Sequence, residues 1–113
     1  MINYEEIPHG NYLCNIAKAE IVQTNTDHTN ALKLELWING QNFAGRKIWD
    51  FLCIRHSKPY VAEKAMEKYK NLLKCLGDLP TATPPHELIG RKIIAEIETI
   101  NTWPSVIKYM EPM

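Results

Sequence analysis

The stretch "GRKIWDFLCI", Gly45–Ile54, shares its first four residues with "GRKIIAEIETI", Gly90–Ile100, and the two then diverge. The first continues through Trp49 and Phe51, the second through Ile94 and Glu96. The second copy has a readable period: Ile93, Ala95, Ile97 and Thr99 share one side of a strand, with Lys92, Ile94, Glu96 and Glu98 on the other. Two carboxylates cost too much to bury unpaired, so the Glu96 and Glu98 side is expected to face water. The first copy is an almost continuous apolar run, and its own period cannot be read. If both copies enter the core alike, Ile48, Leu52 and Ile54 point inwards, while Lys47, Trp49, Phe51 and Cys53 point outwards. That phase turns Asp50 inwards, where it needs hydrogen-bond partners such as loop backbone N–H groups. Residue type alone favours the opposite phase, because large aromatics are mostly core.

The neighbouring stretch decides between them. Over Asn30–Asn39, Leu32, Leu34, Leu36 and Ile38 alternate with Lys33, Glu35 and Trp37, the pattern of a half-buried strand with Trp37 on its polar face. Asn39-Gly40 signals a turn, and Gly45 closes a short loop, so the two strands form an antiparallel hairpin. With Trp49 and Phe51 outward as well, the hairpin presents three aromatics surrounded by Lys33, Arg46, Lys47 and Arg55. Solvent-facing rings among bases suit a single-strand platform, in which each ring stacks on a base for roughly 1–3 kcal/mol and Lys or Arg neutralises phosphate. The same cluster also suits a protein-binding patch.

The rest of the chain supplies the order of elements. Asn11–Gln23 has apolar residues in mixed phase, which suits a long bent strand that changes the face it buries. Gln23–Asn30, "QTNTDHTN", is polar throughout and reads as a loop. Over Lys58–Leu76 the period changes: Val61, Ala65, Tyr69, Leu72, Leu73 and Leu76 recur at helical spacing, with Ser57 as the expected N-cap, Pro59 in the first turn and Gly77 as the C-terminal stop. Asp78–His86 is proline-rich and reads as a connecting loop. Arg91–Ile100 is the second GRKI strand, Asn101-Thr102 a turn, and Trp103–Met110 a short last strand with Pro104 near its start. The order β-β-β-α-β-β is that of a mostly β OB-fold, a five-stranded Greek-key barrel with one helix between strands three and four. An open α+β sheet packed on one helix is the alternative.

Composition bounds the function. One domain is expected over all 113 residues, with 45% hydrophobic and 23% charged residues. No apolar run is long enough to span a membrane, and the acidic start Met1-Ile2-Asn3-Tyr4-Glu5-Glu6 has no apolar h-region, so a cytoplasmic protein is expected. Cys14, Cys53 and Cys75 are odd in number and far apart, which argues for free thiols rather than a disulfide frame or a zinc site. Thirteen basic residues balance thirteen acidic ones, so any affinity for nucleic acid has to come from how charge is distributed. His9, His28, His56 and His86 stand apart in expected loops, without metal-ligand spacing, and no phosphate loop or paired-carboxylate signature occurs. A non-catalytic protein with no metal and no cofactor is expected. Among the helix lysines, Lys64, Lys68, Lys70 and Lys74 are interspersed with Glu63 and Glu67, which points to solvated ion pairs.

These stretches together resemble a phage-encoded family of small OB-fold proteins, a domain of unknown function whose members look like single-stranded DNA-binding proteins and often accompany recombination genes. The similarity runs over nearly the whole chain: "IPHGNYLCNIAKAEI", "LKLELWI", "GRKIWDFL", "KPYVAEKAMEKYKNLLKCLG", "LIGRKIIAEI" and a closing "IKYMEP", persuasive by order and spacing. The resemblance implies binding of single-stranded DNA in phage replication or recombination, within the host cytoplasm and without catalysis. Its implied surface is Trp37 with Arg46, Lys47, Trp49 and Phe51. Lys92, beside Arg91, would either extend the phosphate track or be a solvated strand-end charge. Trp103 borders a loop that OB-folds often use for ligands, and would otherwise be a lid over the barrel end. Expected partners are single-stranded DNA and recombination or replication proteins, with no membrane; a homo-oligomer stays open. The chain closes on "YMEPM" where cellular single-strand binders carry a long acidic recruiting tail, and its neutral net charge implies weak long-range steering.

Overall fold

In a computed structural model, residues 6–23, 30–40, 43–55 and 58–112 are described, Arg55 in its backbone alone. The acidic segment through Glu5, the loop interior 24–29, His28, His56 and Ser57 lie outside the described residues.

Phase propagates from the best-patterned strand. In β2 (Asn30–Ile38), Leu32, Leu34, Leu36 and Ile38 are buried, and Trp37 stays 42% exposed. β3 (Lys47–Arg55) pairs antiparallel with it, setting Trp37 opposite Lys47, Glu35 opposite Trp49 and Lys33 opposite Phe51. Directly opposed residues share a face, so Trp49 and Phe51 turn outwards and Ile48, Asp50 and Leu52 turn into the core. Ile54 is half-buried at the strand's end.

The two GRKI openings do the same local work. Gly45 and Gly90 hold φ near +85° and +88°, and their N–H groups donate to the carbonyls of Ile38 and Ile16. The isoleucines that follow, Ile48 and Ile93, are both fully buried. A Cβ at either glycine would meet nothing within 4 Å, so the obstacle to substitution is the left-handed backbone alone. Gly45→Ala and Gly90→Ala are each expected to cost about 1–2 kcal/mol in urea unfolding. No loss in either would mean that the left-handed turn is not required there.

β1 (Gly10–Gln23) runs through the centre of the sheet and changes phase midway. Its register against β2 shifts between Ile16 and Lys18, leaving Ala17 as the extra residue of a bulge. Cys14 and Ile16 are buried before the bulge and Ala19 after it, which is the expected change of face. β4 (Lys92–Ile100) pairs with the first half of β1 and buries Ile93, Ala95 and Ile97. Asn101 and Thr102 both take positive φ, 51° and 68°, forming the tight turn into β5 (Trp103–Met110).

The result is five antiparallel strands in an open sheet of order β3-β2-β1-β4-β5, with one helix inserted between β3 and β4. That helix, α1 (Pro59–Cys75), buries Ala65, Tyr69, Leu72 and Leu73 and half-buries Val61 and Leu76. Its N-cap position falls to Lys58, one residue later than expected, because Pro59 takes the first helical position, where a missing N–H costs nothing. Gly77 (φ +107°) ends it as expected. The expected loop after it is partly ordered: Pro85–Leu88 forms a 3-10 turn that buries Leu88 against the core. The three cysteines are free thiols; burial pushes the Cys14 thiol up to about 11.

β3 and β5 are the two edge strands. Among the described residues no ladder joins them, yet they touch each other and both pack on α1. At this seam lies Asp50, and here two expectations are corrected. Its partners are side chains rather than loop N–H groups: the Tyr109 hydroxyl donates to Oδ2, and Lys68 Nζ donates to Oδ1 at 3.0 Å. Lys68 therefore does not join a solvated ion pair along α1; its ammonium is drawn under the sheet, where the Val106 carbonyl also accepts from it. A buried carboxylate at this position would be prohibitive alone, and the two donors from α1 and β5 compensate it. Among the described residues, no helix is long and apolar enough to cross a membrane.

Candidate nucleic-acid interface

The outer face of the β2–β3 hairpin is a three-step ladder of opposed side chains. Lys33 places its ammonium 5.9 Å from the centre of the Phe51 ring. Glu35 lies opposite Trp49, and Lys47 sits 5.2 Å from the centre of the Trp37 ring. Phe51 is 54% exposed, Trp49 41% and Trp37 42%, so all three rings keep a face to water. Rings of this size stay outside because their strand neighbours, Ile48, Asp50 and Leu52, already occupy the inner phase.

A groove of about 1000 Å³ opens beside this ladder, over the seam. One wall carries Lys33, Arg46, Lys47, Trp49 and Phe51; the other carries Thr102, Trp103, Pro104 and Ser105, with Gly45 at the rim. Trp103, at 68% exposure, stands just after the tight turn into β5 and lines the same groove as the β3 rings. Pro104 is tolerated because β5 is an edge strand.

Most of the residues singled out from the sequence are thus brought together: Lys33, Arg46, Lys47, Trp49, Phe51 and Trp103. Three are not. Trp37 stands next to the groove behind Lys47, outside its lining. Lys92 is exposed at the start of β4, opposite Asn15 of β1, with two whole strands, β1 and β2, between it and Lys47. Arg55 pairs with Asn30 at the far end of the hairpin from Lys47, and its side chain is outside the described residues.

Sequence pattern puts Glu35 on the correct face, shared with Trp37 and Trp49, but does not foresee its burial: it is only 7% exposed. The Trp37 indole N–H donates to its Oε2 at 2.9 Å. Its carboxyl is held below the usual carboxylate range, first by that hydrogen bond, then by the charges of Lys18 and Lys47, with a smaller contribution from the Trp49 indole. His9 was also missed as a partner: its Nε2 lies 2.6 Å from Glu96 Oε2, and Lys108 Nζ lies 3.7 Å from the other oxygen. Between them they cover Glu96, while Glu98 faces water as expected. Nothing in local pattern signals such pairings, since His9 and Glu96 lie on different segments. Among the described residues, no group of three or more His, Cys, Asp or Glu side chains could hold a metal ion.

Fold and site together define a small antiparallel β domain with an open groove lined by aromatic rings and bases. A family model described as a protein of unknown function (DUF669) matches residues 1–103, and the chain belongs to that family. No curated protein matches it.

Proposed function

We propose that this chain is a non-catalytic single-stranded DNA-binding protein of phage replication or recombination, acting with low sequence specificity in the host cytoplasm. The observation that carries the reading is a single groove with Trp49 and Phe51 on one wall, Trp103 on the other, and Lys33, Arg46 and Lys47 along one side. Bases have faces to stack on from both walls, and the cations lie where a backbone would run. The rings impose no hydrogen-bond pattern, which is why little sequence preference is expected. The sheet order β3-β2-β1-β4-β5 supports reading the fold as an OB barrel with its β3–β5 seam unpaired. In that fold the β2–β3 face and the loop between the last two strands form the ligand surface, where the groove lies.

The test is a fluorescence titration with oligo-dT of graded length, against duplex of equal length, repeated over a salt series. Binding to oligo-dT alone is expected, and with about three to five phosphate contacts its log–log salt slope should be shallow, roughly −2 to −4. Equal binding to duplex would reduce the groove to generic charge attraction. No binding to either would favour a protein-interaction module using the same aromatic patch.

A further inference from the structure

A carboxylate at the centre of a surface meant for a polyanion is an anomaly that the function above does not absorb. Glu35 lies across the ladders from Lys18 on one side and Trp49 on the other, and Trp37, two residues along β2, donates its indole N–H back to it. The Trp37 ring in turn seats the ammonium of Lys47, which lines the groove. The acid is nearly covered, while the indoles over it are not. Its negative charge is therefore spent on internal partners and is not offered to a ligand.

We propose that Glu35 is the positioning residue of the groove: one carboxylate anchors the Trp37 indole, steadies Trp49 across the ladder, and through Trp37 holds Lys47 at the rim. Trp37 is then part of the support and not a stacking surface, which explains why it stands outside the groove. Rings held in place before a ligand arrives need not be ordered on binding, and each rotamer-rich side chain ordered at that moment weakens association. This assignment rests on the nucleic-acid reading of the groove for its consequence in affinity, and has a separate readout in the free protein.

The two possible roles of the acid predict opposite signs. If Glu35 is merely a repulsive charge, Glu35→Ala and Glu35→Gln both tighten oligo-dT binding. If it positions the rings, Glu35→Gln, which keeps an acceptor oxygen for the indole, binds no more weakly than the parent. Glu35→Ala, despite losing a negative charge, binds roughly fivefold more weakly, about the cost of ordering one such side chain. In free protein carrying Trp103→Phe, so that only Trp37 and Trp49 emit, acrylamide quenching should rise about twofold in Glu35→Ala over Glu35→Gln as anchored indoles become mobile. Trp37→Phe, which keeps an aromatic ring under Lys47 but deletes the indole N–H, is the second variant should Glu35→Ala fail to fold. Its Trp49 emission should become more quenchable as well. Tighter binding by Glu35→Ala, or unchanged quenching in both variants, overturns the assignment. If the parent protein binds no oligo-dT, the function proposed above fails, and the quenching arm still decides the role of Glu35.

Discussion

Trp49→Ala combined with Trp103→Ala is expected to weaken oligo-dT binding by about 30-fold or more. Each base–ring stack is worth roughly 1–3 kcal/mol, and the two rings stand on opposite walls of one groove. Because both rings are exposed, unfolding in urea should change little. The single variants should each lose about fivefold or more in affinity, and the protein's own fluorescence should be quenched less by oligo-dT. Trp37→Ala is expected to cost less than either, since it removes the seat of Lys47 and not a groove wall. An unchanged titration in the double variant would remove this groove as the binding site.

The largest effect on stability is expected at the seam. Asp50→Ala leaves the Lys68 ammonium and the Tyr109 hydroxyl without their shared acceptor beneath the sheet. Breaking a buried pair from one side typically costs about 3–5 kcal/mol, a large share of a small domain's stability. Urea unfolding should therefore show a much lower midpoint for Asp50→Ala, and a smaller drop for Asp50→Asn, which still accepts from Tyr109. A midpoint shift no larger for alanine than for asparagine would mean that the cluster is not a unit. The sign of the alkaline response follows from the same contacts. Burial, and next the Asp50 charge, hold the Tyr109 phenol well above its ordinary range. Its contribution to stability is complete while phenols of the unfolded chain stay protonated. It declines as pH rises through their ordinary value near 10.0, because the native state then holds a proton that the unfolded chain has released.

Local pattern made the strands, the helix and the outward phase of β3 legible, and it did so by analogy where alternation failed. Trp49 and Phe51 look like core by composition. Both read as surface because Trp37, on the paired strand, has an unambiguous phase and Ile93 shows how a GRKI opening enters the core. What stayed hidden was long-range chemistry. An inward Asp50 could be read from the hairpin, but Lys68 and Tyr109 could not, because they come from α1 and β5. On the helix, Lys68 was indistinguishable from Lys64 or Lys70. Glu35 was placed on the correct face and given the wrong environment, since alternation tells which way a side chain points and not whether its neighbours close over it. Trp103 is legible as bordering a ligand loop of the OB order; that it shares one groove with Trp49 depends on the two edge strands meeting.

The groove's two walls are also far apart along the chain. Lys33 to Phe51 make one, Thr102 to Ser105 the other, and the whole of α1 and β4 lies between them in sequence. During synthesis from the N-terminus, the ring-bearing hairpin is complete while its opposite wall does not yet exist, and a nascent chain carries only half a site. Its exposed aromatics would then be an open apolar patch on an unfinished molecule, with the charges of Lys33 and Lys47 beside the rings to keep it from self-association. Completing the site requires the last strand to dock, so the groove reports on the folding of the entire domain.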